Sequence, residues 1–208
     1  TKRGHTSEDS ISAMKLLRDA DIEVVGQLMI GLPGAFPEVE AESAQMIVNG
    51  GCSAARIYPV IVLAGTELEE MYRSGVYMPL SVDEAAVRCA SVLDILEENN
   101  VKVIRIGLSD SENLHDSSTY VAGPNHPAMG ELVRGEKYYI KMQALLDGFY
   151  GEIKGKNAVF YVSSGQVSAA VGQGGRNRDR IMSEFDLKSV KMCEKAEVLK
   201  YNVLVDIF

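Results

Sequence analysis

One stretch constrains the fold more than any other: an apolar segment that runs into a Gly-Leu-Pro-Gly turn. Residues 24–30 read Val-Val-Gly-Gln-Leu-Met-Ile, and the absence of a clean polar alternation is typical of a parallel strand covered on both faces. The strand must end at the turn, because Pro33 cannot donate to a sheet and Gly31 and Gly34 permit unusual backbone angles. A helix is predicted from Pro37, with glutamates in its first turns. This strand–turn–helix unit predicts a ligand-binding rim of an α/β protein.

Two further strands, each separated from the last by helix, extend the pattern. They are predicted at 54–62, where Pro59 should end or bulge the pairing, and at 101–107. Helices are predicted after caps at Thr6 (with Asp9), Thr66 and Ser81 (with Glu84). Strands that alternate with helices predict a parallel sheet and the α/β class.

The remaining chain suggests a second, smaller domain. A polar loop spans 108–130, and a helix is expected over 131–146, interrupted or bent near Gly135. Glycines and lysines at 148–156 predict a linker, which gives a first domain over 1–147 and a second over 157–208. In the second we expect a strand at 158–162, short helices at 166–171 and 176–185, and strands at 187–193 and 198–207. The last two are predicted to be antiparallel, with a turn near Lys195.

Composition restricts the functional classes. The chain has 208 residues, 46% of them hydrophobic, and a formal net charge of −8, which disfavours a protein that coats nucleic acid or a membrane surface. No apolar run is long enough to span a membrane, so we expect a cytoplasmic protein. Cys52, Cys89 and Cys193 lie too far apart for a disulfide framework or a CxxC-type metal site, so we assign no metal ligands.

The second domain carries a glycine motif between its two short helices, in the order strand, helix, loop, helix, strand, strand. The motif resembles the GXXG loop of KH domains, which clamps single-stranded RNA because backbone amides can approach phosphates there. The resemblance implies RNA contacts from Gly172, Gln173, Gly174, Gly175, Arg176 and Arg180. Residues 157–208 hold seven Lys and Arg against six Asp and Glu, so this end is the less acidic one. The alternative is a glycine-rich connection between helices, with solvated arginines.

The first domain resembles the radical S-adenosylmethionine (SAM) enzymes, in the branch of the Elongator catalytic subunit and the anaerobic coproporphyrinogen oxidases. The likeness covers about residues 1–147 and rests on five segments in order. These are Thr-Lys-Arg-Gly-His-Thr at 1–6, Ile-Gly-Leu-Pro-Gly at 30–34, Arg-Ile-Tyr-Pro-Val at 56–60, Gly-Thr-Glu-Leu at 65–68 and Ala-Gly-Pro-Asn-His-Pro at 122–127.

That resemblance implies half of a partial (β/α)₆ barrel, with SAM and a [4Fe–4S] cluster at the carboxyl ends of its strands in the parent protein. It implies SAM contacts from Arg3, Gln27, Ile30, Gly31, Leu32 and Tyr58; the catalytic residues stay unassigned. The family's cluster needs three thiolates in a CxxxCxxC loop, and nothing in this sequence has that spacing. We therefore expect the loop to lie upstream of Thr1, and this fragment to bind neither cofactor and to be inactive alone.

The sequence thus predicts the carboxyl-terminal part of a radical SAM protein, half a parallel barrel followed by a KH-like α+β domain. Its substrate could be RNA such as tRNA, bound by the KH-like tail, and its open barrel edge could pair with a second copy. One alternative is a non-catalytic RNA-binding or interaction protein. Another is an ordinary α/β barrel enzyme acting on a small phosphorylated substrate.

Overall fold

The computed structural model describes residues 4–108, 119–149 and 153–208. The chain divides into two units, Thr1–Met129 and Gly130–Phe208, called here the sheet unit and the tail unit. Of the residues discussed above, positions 1–3, which include Arg3, lie outside the described residues, as do positions 109–118 of the polar loop and 150–152 of the linker.

The sheet unit alternates helices and strands, as the sequence predicts. Its elements are α1 (Ser7–Asp19), β1 (Val25–Ile30), α2 (Pro37–Asn49), β2 (Ala54–Pro59), β3 (Val62–Leu63), α3 (Glu67–Arg73), α4 (Val82–Glu98), β4 (Lys102–Ile106) and β5 (Tyr120–Ala122). The capping boxes at Thr6 and Ser81 and the cap at Thr66 are all formed. These caps satisfy backbone amides that would otherwise lack partners at the helix starts.

The strands β1, β2 and β4 form a parallel sheet in the order β1-β2-β4, which confirms the α/β class with a parallel sheet. Strand β2 ends at Pro59, where the sequence predicted that pairing would stop. The short strands β3 and β5 pair antiparallel in a separate sheet.

Among the described residues, helices cover only one face of this parallel sheet, which corrects the expectation that β1 is buried on both faces. Helices α2 and α4 pack against the sheet, and Leu28, Ile30 and Ile57 are buried on that side. Burial along β1 alternates strictly, so Val25, Gln27 and Met29 are exposed on the opposite side. We call that side the open face. The apolar residues Val25 and Met29 at exposed positions hid the alternation in the sequence.

The pairing of β4 with β2 contains a one-residue irregularity. Ala55 is opposite Val103, but Arg56 is opposite Arg105, so Ile104 has no partner in β2. This is a β-bulge, which re-aims the side chains that follow it.

The tail unit consists of one long helix, three strands and a helix–loop–helix segment. Its elements are α5 (Met129–Asp147), β6 (Asn157–Val162), α6 (Val167–Val171), a 3₁₀ turn (Gln173–Gly175), α7 (Arg176–Glu184), β7 (Ser189–Glu194) and β8 (Leu204–Ile207). Strand β6 is central, parallel to β7 on one side and antiparallel to β8 on the other. The predicted hairpin of the last two strands is therefore wrong, because β6 lies between them and pairs with both.

Helix α5 belongs to the tail unit's core rather than preceding a linker. Tyr138, Met142 and Leu146 are fully buried in the same cluster as Phe160 of β6. The division between the units thus lies at the start of α5, not at 148–156 as predicted. The helix also continues through Gly135 without the predicted interruption.

No helix within the described ranges has both the length and the apolar character needed to cross a bilayer.

Candidate functional site

The turn after β1 is held by buried side chains centred on Gly31. The Gly31 N–H donates to Glu40 Oε1 at 2.7 Å, and its carbonyl oxygen accepts from the Tyr77 hydroxyl at 2.7 Å. Gly31 has φ +88°, and a Cβ there would lie 2.8 Å from Leu80 Cδ1. Only glycine therefore fits without strain, and the turn is fixed on both sides of its backbone.

A buried ion pair stabilises this arrangement. Glu40 is 3% exposed, and its carboxylate accepts from Arg88 Nε at 2.8 Å and from Arg88 Nη2 at 2.6 Å. Arg88 also donates to the carbonyl oxygen of Ala35 at 3.0 Å. The carboxylate and guanidinium thus tie α2, α4 and the turn together. Burial raises the pKa of the neighbouring Tyr77 hydroxyl.

The predicted SAM-binding residues separate into two groups. Ile30 is fully buried, and its carbonyl oxygen accepts from the Val60 N–H at 2.8 Å; Leu32 packs against a cluster that contains Val60 and Tyr77. The backbone groups of Gly31 already have internal partners. Any ligand contact from this first group is therefore a close approach rather than a hydrogen bond to Gly31.

The second group lies on the open face. Met29 is opposite Tyr58 in the parallel register, and Gln27 is opposite Arg56. Gln27 is exposed and Tyr58 is half-buried. Tyr58 is the fifth of the six residues of β2 and lies near the carboxyl end of its strand, where ligands of parallel α/β sheets bind. Gln27 is the third of the six residues of β1 and lies mid-strand, not at the rim where the sequence placed it. The two side chains can offer an amide and a phenol to a ligand.

The thiols do not form a cluster site. Cys52 and Cys89 are buried and Cys193 is an exposed residue of β7, while burial raises the pKa of Cys89 to about 12. Among the described residues, no group of three or more His, Cys, Asp and Glu could hold a metal ion. The described residues therefore do not fit a [4Fe–4S] cluster, which needs several thiolates at one point.

In the tail unit, the glycine motif forms a tight loop between α6 and α7. Gly172, Gly174 and Gly175 all have positive φ, at 79°, 64° and 86°. The Gly175 N–H donates to the Gly172 carbonyl at 3.0 Å. A Cβ on Gly172 would lie 2.9 Å from Asn177 Cγ, whereas one on Gly174 would meet nothing within 4 Å. Gln173 and Gly174 are exposed at the tip.

Sequence reasoning missed the residue that holds this loop in place, Asn177. It is 2% exposed, and its Nδ2 donates to the Gly135 carbonyl at 2.7 Å and to the Ala170 carbonyl at 3.2 Å. Glycine at position 135 lets α5 approach α6 closely, because a Cβ there would lie 3.3 Å from the Ala169 carbonyl oxygen. A glycine in the middle of an apolar helix was the available signal, because it marks close packing as well as a break.

Of the predicted RNA-binding arginines, Arg180 contacts the side chains of α5. Arg180 donates to Glu136 at 2.6 and 3.2 Å, and its guanidinium lies 3.5 Å from the ring centroid of Tyr139. The Tyr139 hydroxyl donates to Glu184, and burial together with that bond raises its pKa to about 12. Arg180 therefore braces α7 against α5. Arg176 begins α7 and is half-buried beside the loop.

Comparison with known proteins finds a family model and several relatives that agree with one another. Residues 52–139 match the family model described as the Radical_SAM C-terminal domain. A tRNA uridine(34) acetyltransferase of Methanocaldococcus jannaschii is 31% identical over 163 residues, which cover 76% of this chain and 29% of that protein. Elongator complex protein 3 of Dictyostelium discoideum is 29% identical over 99 residues, which cover 46% of this chain and 18% of that protein.

A solved structure of archaeal Methanocaldococcus infernus Elp3, lacking its N-terminus, matches with a TM-score of 0.55 and 30% identity. The match covers 68% of this chain and 37% of that chain. This chain accordingly spans less than a third of the length of the M. jannaschii relative.

Proposed function

We propose, because this chain is a homologue of the radical SAM proteins of the Elongator protein 3 type, that it is part of a tRNA-modifying enzyme. In this proposal the sheet unit is part of the barrel and lines the SAM site, and the tail unit is a KH-like domain that binds single-stranded RNA. The tRNA substrate is inferred from the name of the M. jannaschii relative, a tRNA uridine(34) acetyltransferase.

The observation that carries the RNA-binding role is the loop at 172–175. It lies between two helices, which in turn lie between two parallel strands, and three of its glycines adopt positive φ. The tip at Gly174 has no side chain and open space around it, so a phosphate can reach the backbone there. A positive helix end follows at α7, which favours an anion at its first turn.

In the longer protein, SAM would supply a 5′-deoxyadenosyl radical after reductive cleavage, and the cluster would require ligands other than the described thiols. We assign Gln27 and Tyr58 to contacts with the adenosyl group, because both lie on the open face and Tyr58 lies near the end of its strand. Ile30, Gly31 and Leu32 would approach it through the backbone of the turn, because the Ile30 side chain is buried on the helix side. Arg3 remains a proposed contact outside the described residues.

The open edge of the sheet is also proposed to pair with a second copy of the chain. Strand β1 is at the edge of its sheet, and Ile22, Val25 and Met29 are 52%, 47% and 40% exposed. Exposed apolar side chains beside an unpaired strand favour association. Sedimentation equilibrium of the chain tests this: a monomer at 100 μM would overturn it.

The experiment for RNA binding compares two glycine-to-aspartate variants in the full chain. Gly174→Asp places a negative charge at the loop tip, where φ is +64° and space is open; Gly155→Asp does the same at φ +74° in open space. Gly155 lies beside Asp186, beyond the far end of α7, so it controls for added charge and backbone strain.

We expect Gly174→Asp to weaken binding of a single-stranded RNA oligonucleotide at least tenfold in fluorescence anisotropy, and Gly155→Asp to leave it within twofold of wild type. Circular dichroism checks that both variants stay folded. Equal affinities for the two variants would contradict the role assigned to the loop.

A further inference from the structure

The open face of the parallel sheet carries a row of cationic side chains. Arg56 of β2 is directly opposite Arg105 of β4, and Gln27 of β1 continues the row on the other side. Neighbouring strands are about 4.8 Å apart, so the two guanidinium groups start from adjacent positions. Both arginines are exposed. Lys102 is opposite Ala54 in the preceding row of the same face.

The bulge at Ile104 is what brings the two arginines together. Side chains alternate between faces along a strand, so without the extra residue Ile104 would be opposite Arg56, and Arg105 would point toward the helices. With the bulge, Lys102 and Arg105 lie on the open face and Val103 and Ile106 on the helix side. Val103 and Ile106 are accordingly half-buried, while Arg105 is exposed.

Neither arginine makes a hydrogen bond or ion pair in the part of the chain that the structure describes. This contrasts with Arg88 and Arg180, each of which is matched to a buried glutamate. Like charges directly opposite each other on neighbouring strands are destabilising. Two guanidinium groups opposite each other without a counter-charge therefore lower stability unless an anion binds.

We propose that Arg56 and Arg105 form a phosphate-binding subsite for the RNA substrate on the open face of the sheet unit. Guanidinium groups present paired N–H donors that match phosphate oxygens in geometry and charge. SAM is a poorer occupant, because its ammonium and sulfonium groups give it a net positive charge. The subsite lies in the row before Met29 and Tyr58, so a phosphate bound there positions a nucleotide toward the Gly-Leu-Pro-Gly end of the sheet.

This inference rests on the proposed RNA-modifying function and adds a second contact region to it, separate from the glycine loop of the tail unit. The two contributions can be distinguished by salt dependence. Each phosphate contact with single-stranded nucleic acid contributes about 0.7 to the slope of log K against log salt concentration.

The test measures RNA affinity of the full chain between 50 and 300 mM KCl for Arg56→Gln, Arg105→Gln and the double variant. We expect the slope of log K against log salt concentration to be less steep by about 1.4 in the double variant. Binding should be at least tenfold weaker at 50 mM KCl. Arg73→Gln is the matched control, because Arg73 is 68% exposed on α3 and paired with Glu69; it should leave the slope unchanged. Arg105→Lys should keep the slope and lose only part of the affinity.

A second readout uses the protein without RNA. Removal of either arginine should raise the melting temperature by about 1–3 °C, because a like-charge pair is relieved. An unchanged salt slope in the double variant overturns the proposal. If Gly174→Asp has no effect while the arginine variants do, the tail's proposed function fails and this subsite stands. Absence of RNA binding in the wild-type chain overturns both.

Discussion

Replacing Glu40 by glutamine should destabilise the sheet unit by about 2 kcal/mol. Removing one partner of a buried ion pair costs about 3–5 kcal/mol, because the other charge stays buried without compensation. The side chains of Glu40 and Arg88 are 4% and 16% exposed, so Arg88 recovers some hydration. The glutamine can also still accept the Gly31 N–H. Both effects reduce the expected loss of stability below that range, to about 2 kcal/mol.

The assay is urea unfolding followed by far-ultraviolet circular dichroism, since the chain has no tryptophan, with amide exchange of Gly31 as the local readout. The matched control is Glu42→Gln, which removes a charge from an exposed position on the same helix. The combination of Glu40→Leu with Arg88→Met should be milder than Glu40→Leu alone, because no unpaired charge remains. If Glu40→Gln unfolds within about 0.5 kcal/mol of Glu42→Gln, the buried pair does not hold the turn.

Three further predictions concern the buried thiol of Cys89, the buried hydroxyl of Tyr139 and the contribution of α5 to the core of the tail unit. In the native chain at pH 8, iodoacetamide should modify Cys193 well before Cys89, because burial raises the pKa of Cys89 to about 12 and excludes the reagent; mass spectrometry that finds Cys89 modified first would contradict this. The pKa of Tyr139 is raised to about 12, so an unfolded chain, with tyrosine near its usual pKa of about 10, loses this proton first. Tail-unit stability should therefore fall between pH 10 and 12, and Tyr139→Phe should show a shallower fall in urea unfolding. Finally, residues 157–208 alone should be unfolded by circular dichroism whereas 128–208 should fold, because the buried face of α5 completes the core; a folded 157–208 would refute that.

Local chemistry allowed much of the sheet unit to be predicted from sequence. The parallel order of β1 and β2 follows from strands separated by helices, and Pro59 marks the end of β2. Thr6 and Ser81 mark the starts of their helices, because each forms a capping box. The caps and the proline involve residues at most a few positions apart, and the parallel order needs only the alternation of strands and helices along the sequence.

The missed features all depend on long-range contacts. Glu40 and Arg88 are 48 residues apart, and nothing local distinguishes a buried pair from two surface charges. Gly135 in the sequence predicts an interrupted or bent helix, but its neighbour is the Ala169 carbonyl of another helix. The predicted pairing of β7 with β8 is wrong for a related reason. Both strands have patterns that could pair with each other or with β6, and only packing selects the partner.

The candidate ligand residues were only partly accessible to sequence reasoning. Tyr58 could be placed near the carboxyl end of its strand from the motif alone, whereas Gln27 lies in the middle of β1. That Arg56 and Arg105 share a row could not, because β4 carries an extra residue that shifts its phase. A regular strand would place Arg105 on the other side.

The bulge makes β4 far more sensitive to a change in length than to a change in composition. Substituting Ile104 removes one half-exposed side chain, but deleting it would rotate every later position of the strand by half a turn. Arg105 would enter the helix layer and Ile106 would face solvent. When this chain is compared residue by residue with a relative, a single gap at this position therefore exchanges the inner and outer sides of the strand end. Two sequences with nearly the same letters here could present opposite surfaces.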